Sequence, residues 1–316
     1  MFRTCCSIRA SSTRREPIMT VSTPNLKAKQ EPATLGRRPV VDFARRFLRH
    51  RLAMVGASIV LLLVILGAFG RIIAPYDPLG MDFGALFAPP SWAHPFGTDE
   101  FGRDIFSRVL YGARISLQVA FIAVGISGTF GVLLGLIAGF LGGWIDELVM
   151  RIMDVLFAFP AVLLAITVMA ILGRGVGNAM VAIAIVYVPI FARVTRGAVL
   201  SVRGREYVTA ARALGKNPLG IMLRHVLPNA IGPIIVQTSL SLAFAILAEA
   251  ALSYFGLGTQ PPDPSWGRML SEGRGFLQQA PWMGIFPGLA IMVSVMGFNF
   301  LGDGLRDLLD PRTNRN

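Results

Sequence analysis

An all-α membrane protein with six transmembrane helices is the fold class this sequence predicts, with both termini on the cytoplasmic side. Three observations carry that expectation. Only 15% of the 316 residues are charged, against about 25% in an ordinary soluble domain, and the mean hydropathy is +0.60. Six stretches, 52–70, 115–145, 155–173, 175–192, 226–248 and 275–302, hold no Asp, Glu, Lys or Arg. Each reaches the ~18 residues that mark a candidate crossing helix. The 30 Lys and Arg residues are also unevenly shared: with the N-terminus inside, 23 fall on the inner side and 7 on the outer. Basic residues are retained in cytoplasmic segments, and an even number of spans brings the C-terminus back to the same side.

Residues 1–51 come first, a basic segment holding 12 of the 30 Lys and Arg residues. Net charge is +12 and the pI near 10.9. Nucleic-acid binding is the other common reason for a basic chain, but this charge is stacked ahead of the first apolar run, as membrane topology requires. No nucleic-acid partner is therefore expected. The only two cysteines, Cys5 and Cys6, are adjacent and make neither a disulfide framework nor a metal site. Residues 1–18 lack the apolar core of a secretory signal. Met19 opens MTVSTPNLKAKQ, an alternative start, so 1–18 are read as a candidate start-site error.

A membrane domain over 52–303 follows, then a tail over 304–316. The first span leads into an outer segment at about 74–114. The second carries Gly131, Gly135, Gly139 and Gly143, a smooth ridge where another helix can approach closely. The second and sixth stretches exceed one crossing, so part of each is expected at an interface or in a loop. Before the third span, GGWIDELVMRIMDVLFAFP places Glu147, Arg151 and Asp154 at helical pairing distances. Asp154 lies at the membrane boundary, where an unpaired carboxylate is expensive. The trio reads as a paired anchor first and a gating element second. The turn LGRGVGNA makes spans three and four an antiparallel hairpin.

Between spans four and five lies a cytoplasmic loop over about 201–228, containing EYVTAARALG. As a helix, it sets Tyr207, Ala210, Ala211 and Leu214 on one face. Span five ends near Glu249, an acid that must face protein, water or a cation rather than lipid. The outer loop at 255–282 contains TQPPDPSWG and is too rich in proline for regular structure.

Gln118, Gln237, Thr238, Ser239, Ser241 and Asn299 supply uncharged polar groups that either line a path or bond helix to helix. His50, His94 and His225 are scattered and outside the spans, so no metal site is expected. The chain has no GxxxxGK[ST] phosphate loop; GRGVG at 173–177 lacks the lysine. It is therefore not expected to be an enzyme or to bind ATP itself in the P-loop manner.

EYVTAARALGKNPLGIMLRHVLPN resembles the EAA loop of ABC-importer permeases through Glu206, Ala210, Ala211, Gly215, Leu227 and Pro228. Tyr-Val-Thr follows the acid where a literal motif has Ala-Ala. HPFGTDEFGRDIFSRVLYGARISL, GGWIDELVMRIMDVLFAFP, AEAALSYFGLG and LGDGLRDLLDPR are similar to successive signatures of the dipeptide, oligopeptide and nickel permeases, C-type subunit. The resemblance covers roughly 40–313 and implies a type I ABC importer permease fold in the bacterial cytoplasmic membrane. It further implies a second homologous permease subunit, two cytoplasmic ATPases that use ATP and Mg²⁺, and an extracytoplasmic solute-binding protein. The loop would be the coupling helix, with Gly215 turning the chain at its end, Pro218 starting a second helix and Pro228 preceding span five. Di- or oligopeptides are the implied cargo, with nickel or glutathione as alternatives. The competing class, an ion-coupled secondary transporter or channel, rests on Glu249 alone.

Overall fold

The computed structural model describes residues 39–309, with side chains from residue 44 onward. Cys5, Cys6, the alternative start at Met19, most of the basic segment and the end of the tail lie outside the described residues.

The described residues are helical, with a single isolated β-bridge between Thr98 and Asp104. A short helix α1 (Pro39–Arg49) precedes α2 (Arg51–Ile73). His50 caps α2, its Nδ1 accepting from the amide of Ala53 at 3.2 Å, which satisfies one of the free donors of a helix start. The segment 74–104 then runs without helix to α3 (Ile105–Leu141). Asp104 caps α3 by accepting from the Ser107 amide at 2.8 Å, and Gly142 ends it at φ +71°.

Helix α4 (Gly143–Phe157) and α5 (Ala161–Leu172) meet at a 92° bend. Pro160 supplies the break, since it cannot donate to a continuing helix. The expected third span over 155–173 is therefore not one straight helix. Five helices among the described residues are long and apolar enough to cross a membrane, and six candidate spans result if the bent pair counts as one.

Helix α6 (Val176–Arg203) runs past the apolar limit at 192, so Arg193, Arg196 and Arg203 sit on its last turns. Helix α7 (Glu206–Ala213) follows, then α8 (Pro218–Ile221), a π-helical turn (Met222–Val226) and α9 (Leu227–Tyr254) in one unbroken run. Pro228 was expected to mark a boundary before span five. It instead lies in the first turn of α9, directly after the π-helical turn, so the proline falls inside a continuing helical run rather than ahead of it. Beyond the segment 255–265 come α10 (Trp266–Gly273), a 3₁₀ turn (Arg274–Phe276) and α11 (Trp282–Leu309). The surplus length of the sixth apolar stretch is this turn and the residues after it.

Packing is densest between α3 and α6, with α2, α9 and α11 around them. The glycine ridge explains the closeness. A Cβ on Gly131 would strike Phe191 and the Val188 carbonyl, one on Gly135 the Ala192 carbonyl, and one on Gly139 the Val199 side chain at 3.0 Å. Gly143 is not part of the ridge: it lies past the end of α3 at φ +60° with open space around it. The apolar core fills the α3–α6–α9 junction with Ala120, Ala123, Ile183, Phe191 and Ile246.

Candidate functional site

At the end of the bundle that carries Arg193, Arg196 and Arg203, α7 is pinned by one face only. Val208 is 0% exposed and Ala211 5%. They pack with Leu136 and Phe140 of α3, Val199 and Val202 of α6, and Ile221, Met222 and Val226. Fully burying a valine stabilises by about 1.5–3 kcal/mol, so Val208 is a firm anchor for so short a helix. The Arg212 guanidinium adds a contact 5.3 Å from the Phe140 ring centroid.

The face expected from the sequence therefore divides. Ala211 belongs with Val208 on the buried side, whereas Tyr207, Ala210 and Leu214 form the exposed stripe, at 40% and 79% exposure for the two large ones. The helical period alone does not make this division, since Ala211 lies only about 40° round the helix from Tyr207; it is the cluster of Leu136, Phe140 and Val199 that takes Ala211 inward with Val208. Leu219 and Leu223 extend the exposed apolar surface beyond α7. An apolar stripe held outward by a buried anchor is what a partner surface requires.

Both ends of α7 are fixed. The Arg205 carbonyl accepts from the amides of Val208 and Thr209 at 3.0 and 3.1 Å, and Glu206 places its charge in the first turn, the positive end of the helix dipole. At the other end, the Lys216 amide reaches the Ala211 carbonyl at 3.2 Å and the Gly215 amide that of Arg212 at 2.9 Å, with Gly215 at φ +71°. This pair of bonds is a Schellman closure, which a glycine in the left-handed region permits. Leu227 is half-buried and packs against the anchor cluster, while Pro228 is exposed.

Helix α4 is strapped to α6 by two ion pairs. Arg196 grips Asp146 through Nε at 2.5 Å and through its second nitrogen at 2.7 Å, and Arg193 meets Asp154 at 2.7 Å. Arg193 also lies 4.1 Å from the Phe157 ring centroid. The expected Arg151–Asp154 pairing does not form: Arg151 reaches only Glu147, at 3.9 Å and on the exposed side. Asp154 turns instead to the neighbouring helix, whose arginine is presented because α6 continues beyond its apolar stretch. Sequence spacing along one helix carries no sign of this partner.

Glu249 faces protein. It is 1% exposed, with the Ser116 hydroxyl donating to one carboxyl oxygen at 2.9 Å and the Ser253 hydroxyl to the other at 2.7 Å. Ser253 also accepts from the Thr259 amide at 3.0 Å. Glu249 thus ties α3, α9 and the segment 255–265 together.

The polar path candidates separate by place. Gln237 donates to the Ser241 hydroxyl at 3.1 Å, and the Thr238 hydroxyl donates to the Ile234 carbonyl at 2.9 Å. Gln237 lines a cavity of about 590 Å³ and Thr238 a separate one of about 540 Å³. Ser239 and Ser241 are buried, Asn299 is half-buried on α11, and Gln118 is exposed on α3. The structure does not gather all of them at one site.

At the opposite end, a charged cluster braces the segment 74–104. Arg103 bonds Asp99 at 2.6 Å, and Arg108 and Arg268 bond Glu272 at 2.8 and 3.0 Å. Burial pushes the Glu100 carboxyl above its ordinary value, with Asp99 and Glu272 adding to the effect and a backbone hydrogen bond opposing it. The Trp282 indole donates to the Thr98 carbonyl at 3.0 Å. The segment 94–117 stood out in the sequence by resemblance, but these cross-segment pairs did not.

Residues 131–315 match the family model described as the binding-protein-dependent transport system inner membrane component, and residues 39–90 match the N-terminal TM domain of oligopeptide transport permease C. The dipeptide transport system permease protein DppC of Alkalihalophilus pseudofirmus is 46% identical over 94% of this chain and 97% of its own length. The glutathione transport system permease protein GsiD of Pectobacterium atrosepticum is 47% identical over 87% of this chain and 92% of its own. Among solved structures, an inward-facing form of the MetNI methionine ABC transporter aligns with a TM-score of 0.51 at 20% identity. It covers 65% of this chain and 98% of that one, a likeness of fold.

Proposed function

This chain belongs to the binding-protein-dependent transport system inner membrane components, and on that premise we propose that it carries di- or oligopeptides inward, driven by ATP hydrolysed on partner subunits. It is a C-type permease subunit of an ABC importer and a multi-pass inner membrane protein. The observation that carries the mechanistic reading is α7: buried on Val208 and Ala211, and open along Tyr207, Ala210 and Leu214. In this reading both termini are cytoplasmic, α4 and α5 form one broken span, and six spans cross the membrane. The domain plan follows, with a basic segment to residue 51, the permease domain over 52–303 with its coupling loop at 201–228, and a tail from 304.

The exposed stripe docks on one of two cytoplasmic ATPase subunits, which supply the ATP and Mg²⁺ chemistry; this chain binds neither. A second homologous permease subunit completes the path, a solute-binding protein delivers cargo to the outer loops, and lipid surrounds the rest. ATPase closure displaces α7. Because α7 is packed on the ends of α3 and α6 and on the run into α9, its movement passes to those helices as rigid bodies. The unbroken run from Pro218 to Tyr254 makes α9 a direct lever, and α9 carries Gln237, Thr238 and Ser241 along the path, with Gln118 and Asn299 on α3 and α11. Arg193–Asp154 and Arg196–Asp146 hold the broken span to α6 as the bundle rocks, a role in which Arg151 takes no direct part. Glu249 holds the outer end.

The dipeptide permease relative supports peptide cargo. Glutathione is the second reading, supported by the glutathione permease relatives at 46–48% identity; glutathione is itself a small peptide. Proteoliposomes holding the chain, its partner permease, both ATPases and the binding protein are expected to accumulate labelled dipeptide only with ATP. Uptake of glutathione but not dipeptide moves the cargo to the second reading. Uptake that needs an ion gradient and no ATP overturns the mechanism.

A further inference from the structure

The cavity of about 590 Å³ beside α7 has a composition that solute passage alone does not explain. It opens between the last turns of α6, the first half of α9 and the end of α11. Arg205 and Arg306 line it from separate elements. Both are exposed, and neither side chain makes an ion pair or hydrogen bond among the described residues. Around the two cations the wall is mixed: Ser201, Asn229 and Gln237 are polar, and Val202, Pro233, Leu240 and Leu309 form an apolar part.

We propose that this cavity is a binding site for an anionic phospholipid, with the phosphate held between Arg205 and Arg306 and an acyl chain laid on the apolar wall. Guanidinium groups match phosphate oxygens bidentately. Basic pockets between transmembrane helices on the cytoplasmic side select anionic headgroups. A free phosphate or a peptide carboxylate would satisfy the two cations and leave the apolar part of the wall wet, whereas a phospholipid sets its polar headgroup on the cations and polar side chains and its acyl chain on that apolar part. The placement has a consequence for coupling. Arg205 is the residue whose carbonyl opens α7, and Arg306 lies in the last turn of α11. A lipid bridging them ties the root of the coupling helix to the final span, so the membrane's anionic content sets how freely α7 moves. The site rests on the cytoplasmic placement of α7 proposed above.

The test uses the complete transporter, purified and incorporated into nanodiscs of phosphatidylcholine with a minority of phosphatidylglycerol. Phosphatidylglycerol retained after detergent washing is counted by native mass spectrometry, and ATP-driven import is measured on the same preparations in vesicles. Wild type is expected to retain about tenfold more phosphatidylglycerol than the Arg205→Gln/Arg306→Gln double variant, a difference of about 1.4 kcal/mol. Arg224→Gln, an exposed arginine outside the cavity, is expected to retain the wild-type amount. Neither inorganic phosphate nor the transported dipeptide should displace the lipid. Equal retention in the double variant, within a complex that still imports, overturns the lipid site alone. Displacement by phosphate or dipeptide reassigns the cavity to a free anion or to the solute. Normal retention in a complex that never imports overturns the transport reading and leaves the site standing.

Discussion

Ala210→Trp is expected to cut ATP-driven uptake by about tenfold or more, the factor that goes with losing about 1.4 kcal/mol of docking free energy, while the chain inserts and folds normally. The position separates these two outcomes. Ala210 is exposed on α7, so an indole there meets solvent in the isolated chain, and surface substitutions usually alter stability by no more than about 0.5 kcal/mol. It lies between Tyr207 and Leu214 on the stripe proposed to meet the ATPase, where an added ring system holds the two surfaces apart. Ala210→Ser, which adds one small atom, is expected to retain most uptake. Ala211→Trp should behave differently, because Ala211 is 5% exposed within the anchor cluster; it should lower the thermal unfolding midpoint as well. Uptake and unfolding are measured on the same purified complexes. Wild-type uptake by Ala210→Trp, with the ATPases bound at wild-type level, removes α7 from the docking surface.

Gly135→Ala is expected to destabilise the fold by about 1–3 kcal/mol, the usual cost of forcing a methyl into a filled core. The added carbon would strike the Ala192 carbonyl and approach the Thr195 Cβ to 2.8 Å, so α3 and α6 must separate at their closest approach. Gly125→Ala adds the same atom on the same helix with nothing within 4 Å. It should be neutral or stabilising, since alanine favours a helix over glycine by up to about 1 kcal/mol. Thermal unfolding of the two variants in detergent makes the comparison. Equal midpoints would show that the glycine ridge does not set the α3–α6 seam.

Much of this architecture was legible in the sequence because membrane folding leaves a strong one-dimensional signal. Uncharged runs marked the crossing helices, and the four-residue glycine spacing pointed to the face on which α3 meets α6. What was not legible depended on neighbours. The bend at Pro160 splits a stretch that hydropathy reads as continuous. Asp154 has a partner three positions away on its own helix and takes Arg193 on another. EYVTAARALG announced a helix with small residues and a glycine stop, both present. Which side of it faced inward depended on Leu136, Phe140 and Val199, far off in the chain. Val208, the most buried residue of α7, carried a signal at its spacing from Ala211 that the more prominent alanine pair obscured.

The outward stripe of α7 is proposed as the place where a partner's ATP cycle reaches the membrane helices. Site-specific photo-crosslinking tests it most directly, with the photoreactive residue at Leu214, which is 79% exposed, or at Val208, which is 0% exposed. In the assembled transporter, Leu214 is expected to crosslink to an ATPase subunit with a yield that changes between nucleotide-free and ATP-bound states, and Val208 only within its own chain. A Leu214 probe that labels lipid, or nothing, in every nucleotide state would contradict the account.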